Sequence, residues 1–227
     1  FENINLEIRK GEVIGITGLL GAGASEMMQS VFGALNHYSG NVYVKGKLLR
    51  GNNIHEAMSN KVAMIASNRK ENSIIPDFSI LDNNAISSHM LTMNHMIIRK
   101  KNEIRKYNEM KDTLGIKAND YNDLIVSLSG GNQQKVIIAR WLSTEADILL
   151  MDNPTQGIDV GAKSEIYKLI MELSKQGKTI LVNTLEIPMI ADRCIVFYHG
   201  HIQKILEREE INEEEVMLYA TNVKGAE

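Results

Sequence analysis

Residues 13–28 read VIGITGLLGAGASEMM, and this stretch decides the fold. Val13 to Thr17 is a short, continuous apolar run, the pattern of a strand buried on both faces. A glycine-rich loop follows from Gly18 to Ser25. From Glu26 to Leu35, Met27, Met28, Val31 and Leu35 then recur at helical spacing. In a strand, glycine loop and helix taken in that order, backbone N–H groups converge on a phosphate and the helix dipole adds to them. The phosphate-loop pattern G-x-x-x-x-G-K-[ST] is met at Gly18, Gly23 and Ser25, but Ala24 stands where the lysine belongs. The candidate nucleotide-binding residues are Gly18, Gly21, Ala22, Gly23, Ala24, Ser25 and Glu26. The glycines keep a backbone cradle and Ser25 keeps a hydroxyl for Mg²⁺, while Ala24 supplies no charge. A hydrogen bond to a charged group contributes about 1.5–3 kcal/mol, so nucleotide is expected to bind roughly 10- to 100-fold more weakly here. Taken alone, the stretch leaves a phosphate loop and a purely structural turn both open.

Upstream, FENINLEIRKGE (1–12) alternates Ile4, Leu6 and Ile8 and turns at Lys10-Gly11, which predicts an edge strand. Downstream, GNVYVKG (40–46) and KVAMIA (61–66) each predict a strand. From about Asp77 to Leu128 the texture turns helical, Met-rich and polar. Met90, Met93 and Ile97 fall at helical spacing there, ahead of the basic run RKKNEIRK (99–106). This part reads as a helical subdomain inserted at about residues 77–135. Its Met stripe is expected to be core, with a docking surface as the alternative, and its basic run a solvated face. Beyond it the pattern predicts a helix over Asn132–Ser143, a strand over Asp147–Met151 and a helix over Ala162–Lys175. Strands at Thr179–Val182 and Cys194–Tyr198 complete the series. Such alternation predicts a mostly parallel sheet covered by helices. His199-Gly200-His201, between two apolar runs, reads as a hairpin turn rather than a metal site.

Composition narrows the partners. At 44% hydrophobic and 23% charged, the 227 residues suit a single globular domain. A net charge of -3 argues against nucleic acid held by general basicity. Apolar runs such as Ile148 to Met151 fall far short of the roughly 20 residues that span a bilayer. Cys194, the single cysteine, excludes an internal disulfide and a Cys-based metal cluster, and is expected to act as a small hydrophobe in a strand. The expected location is the cytosolic side.

Two further stretches carry chemistry. LSGGNQQ (128–134) places Ser129, Gly130 and Gly131 at a helix start, a second anion cradle of one hydroxyl and free N–H groups. ILLMDNPTQGIDVGAK (148–163) places Asp152 at the end of an apolar strand, where a Mg²⁺-organising carboxylate belongs. With the glycine loop, these three in this order are not a chance arrangement.

On these residues the chain resembles an ATP-binding-cassette (ABC) nucleotide-binding domain. LSGGNQQKV and DVGAK look specifically like the second cassette of tandem ATPases that drive monosaccharide importers of the ribose, galactose and xylose type. The resemblance runs from about Asn3 to Ala220. It implies a P-loop NTPase (RecA-like) α/β core with an antiparallel β-subdomain and an inserted helical subdomain, and ATP with Mg²⁺ (Ser25, Asp152) as cofactors. It also implies that paired cassettes stack head to tail. Ser129, Gly130, Gly131 and Gln133 would then complete the partner's ATP site, with Asp159 in the D-loop coupling the two. The implied partners are an N-terminal cassette of the same chain, transmembrane permease subunits and, indirectly, a periplasmic or extracellular sugar-binding protein, at the cytoplasmic face of the membrane. The lack of an initiator Met suggests a piece of such a longer chain. The adenine-stacking aromatic is expected upstream of Ile4.

The departures from the family pattern matter. Asn153 stands where hydrolytic cassettes carry a glutamate that orients water, and Thr184 where a switch histidine is expected. Ser67 or Asn68, in IASNR (65–69), holds the glutamine-loop position. Loss of general-base assistance costs about 10²–10⁴-fold, so no catalytic residue is expected intact in the chain's own site. A soluble tandem cassette of translation or DNA repair, or the cassette of a nucleoside importer, is the alternative.

Overall fold

The structure, a computed structural model, describes residues 1–35, 39–92, 98–184, 186 and 190–222. The glycine-loop stretch becomes β1 (Val13–Gly18) and α1 (Ala24–Phe32). A small hairpin follows, β2 (Val42–Val44) and β3 (Lys47–Leu49), and then α2 (Ile54–Ser59) and β4 (Val62–Ile65). The helical stretch comprises α3 (Arg69–Asn72), α4 (Ile80–Thr92), α5 (Lys100–Leu114) and α6 (Gly130–Leu142). The chain returns to the sheet with β5 (Ile148–Asp152), α7 (Val160–Lys175), β6 (Thr179–Asn183), β7 (Arg193–Tyr198) and β8 (His201–Glu207), and α8 (Glu213–Ala220) closes it.

The main sheet runs β4-β5-β6-β1-β7-β8, parallel from β4 through β7, with β8 antiparallel at the edge. Alternate residues of its apolar strands serve opposite layers. Val13, Leu149, Met151, Ile180 and Val182 pack with α6 and α7 residues such as Ile137, Ile138 and Ile166. Ile14, Ile16, Leu150 and Leu181 pack with Met27, Met28 and Phe32 of α1 on the other face. Phe32 and Trp141 meet edge to face there, with ring centroids 5.5 Å apart. The carboxyl ends of β1, β5 and β6 are thereby brought side by side, and in open α/β sheets that edge carries the ligand.

Arg140 ties α6 to the start of α4. It is buried, and donates from Nε to Asn83 O (2.5 Å), from Nη1 to Ser73 O (2.7 Å) and from Nη2 to Asn83 Oδ1 (3.2 Å). Burial pulls its pKa down to about 10. Glu12, just ahead of β1, holds Arg193 of β7 at 2.6 Å (Nε) and 3.0 Å (Nη2) and accepts from Arg9 N at 2.7 Å. Burial pushes the Glu12 carboxyl up, but its bonds to Arg193 and Arg9 outweigh that and hold it below its ordinary 4.5. A depressed carboxylate stabilises the fold above its unfolded pKa, and that contribution is lost as pH falls through the folded value. Glu12→Gln is therefore expected to cost about 1.5–3 kcal/mol at neutral pH. In denaturant melts the gap to the parent should close as pH drops below 4.5; a gap that does not vary with pH would refute the assignment.

Several expectations need correction. No strand forms over residues 1–12. Ile4, Leu6 and Ile8 do pack on the α1 side of the core, so the alternation reported which side chains face inward. A strand also needs a neighbouring backbone, and β2 and β3 pair with each other instead. The antiparallel β-subdomain is accordingly a hairpin among the described residues. Its turn, Lys45 (φ 51) and Gly46 (φ 77), is left-handed at both positions, the geometry that matches strand twist, and β3 was not expected. Helix α1 stops at Phe32 rather than Leu35 because Gly33 takes the left-handed capping conformation (φ 78). Helices α6 and α7 each begin two residues earlier than predicted, and β7 begins one earlier. Met93 and Ile97 lie outside the described residues, and Met90 is 41% exposed. The 199–201 turn and buried Cys194 are as expected.

Candidate functional site

The glycine loop joins β1 to α1 with Gly21 (φ 78) and Gly23 (φ 102) in left-handed conformations that side chains rarely adopt. Gly23 caps α1 without any side-chain cap, so the amides of Ala24, Ser25 and Glu26 have no partner within the helix. Ala22 is bonded on both sides within the protein. Its N–H donates to Leu19 O at 2.9 Å, and its carbonyl accepts from Gly200 N at 2.9 Å. The β7–β8 turn and Phe1 back the loop: a Cβ on Gly23 would lie 3.2 Å from Gly200 Cα and 3.3 Å from Phe1 Cβ. Ala24 is only 7% exposed and Glu26 is exposed.

Beneath the loop, Ser25, Asp152 and Asn183 close a triangle. Ser25 Oγ donates to Asp152 Oδ1 at 3.0 Å. The Asn183 Nδ2 group donates to the same oxygen at 2.7 Å and to Ser25 Oγ at 3.2 Å. Asn153 Nδ2 reaches Asp152 Oδ1 at 3.5 Å. Asp152 itself is 1% exposed. Mg²⁺ needs oxygen lone pairs in a near-octahedral set at about 2.0–2.1 Å. Here one hydroxyl and two amide groups aim protons at a single carboxylate oxygen. The expected metal ligands Ser25 and Asp152 do come together, joined by the hydrogen bond between them; the second lone pair of the Ser25 hydroxyl and the Asp152 Oδ2 atom are oxygens of the kind Mg²⁺ takes. Among the described residues, no group of three His, Cys, Asp or Glu could hold a metal ion.

The positions expected to be degenerate sit around this triangle. Asn153 is left-handed (φ 43), and its N–H bonds Asn183 O at 2.8 Å. Thr184 is buried, with its N–H on Ile16 O (3.0 Å) and its Oγ1 accepting from Glu186 N (3.1 Å). Glu186 is latched to α7 by Lys163 Nζ and by Tyr167 OH at 3.0 Å. Asn68 is left-handed (φ 50) and donates its N–H to Gln156 Oε1 at 2.9 Å, and Ser67 O accepts from Asn72 at 2.8 Å.

A second surface lies at the start of α6. Ser129 is its N-cap, exposed and making no side-chain cap, so the first amides of the helix stay free of intrahelical partners. Its Oγ accepts from Asn132 at 2.9 Å. Close packing explains the two glycines. A Cβ on Gly131 would lie 2.6 Å from Ala162 Cβ, and one on Gly130 would collide with Arg69 Nη2. Asp159 caps α7 through Ala162 N at 2.9 Å. A groove of about 320 Å³ runs between Lys117, Ser129, Asn132, Lys135, Asp159 and Glu165. Gln133, expected beside Ser129 on this surface, is turned inward and 7% exposed. Its Nε2 donates to Leu128 O (3.1 Å) and its Oε1 accepts from Arg69 Nε (3.3 Å).

Sequence reasoning missed Arg69 and Asn183. Arg69 is buried and bonds Gln156 O (2.8 Å) and Gly157 O (3.2 Å) as well as Gln133, so it ties the segment after β4 to α6 and to the turn at residues 156–157. The available signal for Asn183 was a polar residue at the carboxyl end of a parallel strand; for Arg69 nothing in the local pattern would have served.

A parallel sheet of this order, with a glycine loop between its first strand and helix and polar groups at its strand ends, defines a P-loop nucleotide-binding fold. The sequence model of the family described as ABC transporter matches residues 1–156, and the chain belongs to that family as an ATP-binding cassette. It is 40% identical over 224 residues to the ribose import ATP-binding protein of Halalkalibacterium halodurans, covering 97% of this chain and 45% of that protein. It is 38% identical to a putative ribose/galactose/methyl galactoside import ATP-binding protein of the same organism, covering 97% and 43%. The chain thus spans about half the length of the curated relatives it matches. Among solved structures it is similar to the dimeric ABC transporter cassette MJ0796 (25% identity, TM-score 0.78, 91% of this chain and 90% of that one). The ADP conformation of the cassette MJ1267 shares the fold (22% identity, TM-score 0.82, 99% and 91%). No helix among the described residues is long and apolar enough to cross a membrane.

Proposed function

We propose that this chain is the second cassette of a two-cassette ATPase that powers a sugar importer, folded as a single nucleotide-binding domain over residues 1–227 with a helical part at about 77–135. It works beside an N-terminal cassette of the same polypeptide, on transmembrane permease subunits at the cytoplasmic face of the membrane. A sugar-binding protein delivers solute from outside, and no nucleic acid is involved. One observation carries the reading, the contrast between the two edges of the domain. At its own loop Ala24, Asn153 and Thr184 replace the charge, the base and the switch residue, while the cradle of Gly18, Gly21 and Gly23 persists. At α6, Ser129 is exposed and the first amides of the helix have no intrahelical partner, with Asp159 capping α7 close by. ATP is held weakly in the first place and turned over in a site that the second place completes. The import proteins that the chain resembles support sugar as the solute.

A fluorescent ATP analogue titrated into the chain is expected to bind with Kd above about 10 µM, weaker than about -7 kcal/mol, and to be hydrolysed no faster than background. Turnover by the chain alone would remove the degenerate site. Deleting the parent gene should abolish uptake of labelled ribose or galactose. Loss of purine-nucleoside uptake instead would reassign the solute, and unchanged uptake of all three would end the importer reading.

A further inference from the structure

Among the described residues the buried arginines are Arg69 and Arg140, and they stand at opposite ends of α6. Arg140 lies in the last turn of that helix, where the helix dipole favours a cation. Arg69 lies against its first residue. A Cβ on Gly130 would come within 2.4 Å of Arg69 Nη2 and 3.3 Å of its Cζ. At that end the dipole is positive and the first amides have no intrahelical partner, so a second positive charge is unfavourable there. Nothing in the surroundings offsets it. The guanidinium bonds three neutral oxygens, of Gln133, Gln156 and Gly157, and among the described residues no carboxylate pairs with it. Its two remaining N–H groups, one on Nη1 and one on Nη2, have no partner among those residues either. The carboxylates of the adjoining groove are engaged elsewhere, Asp159 with Ala162 N at 2.9 Å and Glu165 with Lys135 at 2.9 Å. Burial lowers the Arg69 pKa unopposed, whereas the bond to Glu12 raises that of Arg193. Three hydrogen bonds account for the fork of donors. They do not account for an uncompensated charge beneath a positive helix end.

We propose that Arg69 is a positioning residue for the phosphates of the partner's ATP, its charge held behind Gly130 to reinforce the Ser129 hydroxyl and the free amides of α6. This rests on the reading that the start of α6 completes a partner's site. An anion seated there meets opposite charge from the helix and from the guanidinium together, and it offsets the repulsion between the two. Arg69 is only 7% exposed, so it acts through its field across Gly130 rather than by a bond to the nucleotide. Glycine at 130 is what lets the charge come that close to the helix start.

The test separates the charge of Arg69 from its bracing bonds, by steady-state kinetics and melting curves of the two-cassette ATPase proposed for this chain. Gln133→Glu sets a carboxylate on the Arg69 Nε, where Gln133 Oε1 now accepts at 3.3 Å, and leaves the guanidinium on both its carbonyls. Beside a guanidinium that carboxyl stays ionised, so the charge is compensated while the brace persists. KM for ATP is expected to rise by roughly three- to tenfold, the scale of one charge at a helix terminus. Arg69→Lys keeps the charge and loses part of the brace. It should melt lower and turn over more slowly, yet hold KM within about twofold of the parent. A merely structural Arg69 predicts the reverse order, with KM following the melting temperature. Gln133→Glu with a parental KM overturns the proposal, and so does Arg69→Lys with a KM raised as far as that of Gln133→Glu. Either variant decides the matter alone if the other does not fold. The reading beneath the proposal is checked separately by Ser129→Arg. Parental turnover in that variant overturns the partner site itself, whereas an inactive Ser129→Arg beside a parental Gln133→Glu leaves the partner site standing and Arg69 a brace only.

Discussion

Replacing Ser129 with arginine in the two-cassette ATPase proposed for this chain is expected to lower steady-state ATP hydrolysis by about 100-fold or more, the usual cost of losing an aligned donor to developing phosphate charge. Ser129 is exposed, and its side chain does not cap α6. What it offers lies outward, one hydroxyl in line with the free amides of the helix start. In the proposed pairing, an arginine there would fill the approach of a partner's nucleotide. Substitutions at such exposed positions usually shift stability by no more than about 0.5 kcal/mol, so the melting temperature should hardly move. The decisive measurement is the ATPase rate beside a melting curve. Near-normal turnover would show that α6 does not complete a partner site, and an equal loss of stability would mean that the residue is merely structural.

Arg69→Ala is expected to have the largest effect on the fold itself. The guanidinium is buried and makes its bonds to Gln133, Gln156 O and Gly157 O from three different nitrogens. Burial lowers its pKa, as expected for a cation whose partners here are neutral carbonyls. Its removal strands two backbone carbonyls and an amide, at about 2–4 kcal/mol. For a chain of this size that is roughly 5–15 °C in melting temperature. The same cut detaches the loop after β4 from α6 and from the turn that precedes Asp159. Full-length ATPase activity should therefore fall at temperatures well below the melt. Arg69→Lys keeps the charge but, with one ammonium, cannot reach Gln133 on α6 and both carbonyls of residues 156–157 at once, so it should recover only part of the stability. Arg69→Lys matching the parent in both melting and turnover would rule out the three-way brace.

Much of the fold was legible because its signals are local. The apolar run of Val13–Thr17 and the glycines after it predict a strand and a loop from their own chemistry, and β4, β5, β6 and β7 were placed within a residue or two on the same grounds. The failures have one cause. Residues 1–12 show the alternation of a strand without the pairing, since pairing depends on a backbone elsewhere in the chain. Gln133 sits in a motif that opens on exposed Ser129, yet helix rotation turns it toward Arg69. The helix start expected at Ser129-Gly130-Gly131 is where α6 begins, with Ser129 as its N-cap.

Sequence alone determined the family, the glycine loop, and the presence of alanine at 24 and asparagine at 153, all of which are properties of residue type at a position. Tertiary structure decided how the neighbours of Asp152 are used. Asn183 is 31 residues from Asp152 and 158 from Ser25, and only the parallel order β5-β6-β1 brings the three within hydrogen-bond reach. Hydrogen bonds fall off within a few tenths of an ångström, so a triangle of this kind exists only once the sheet has set its strands in register.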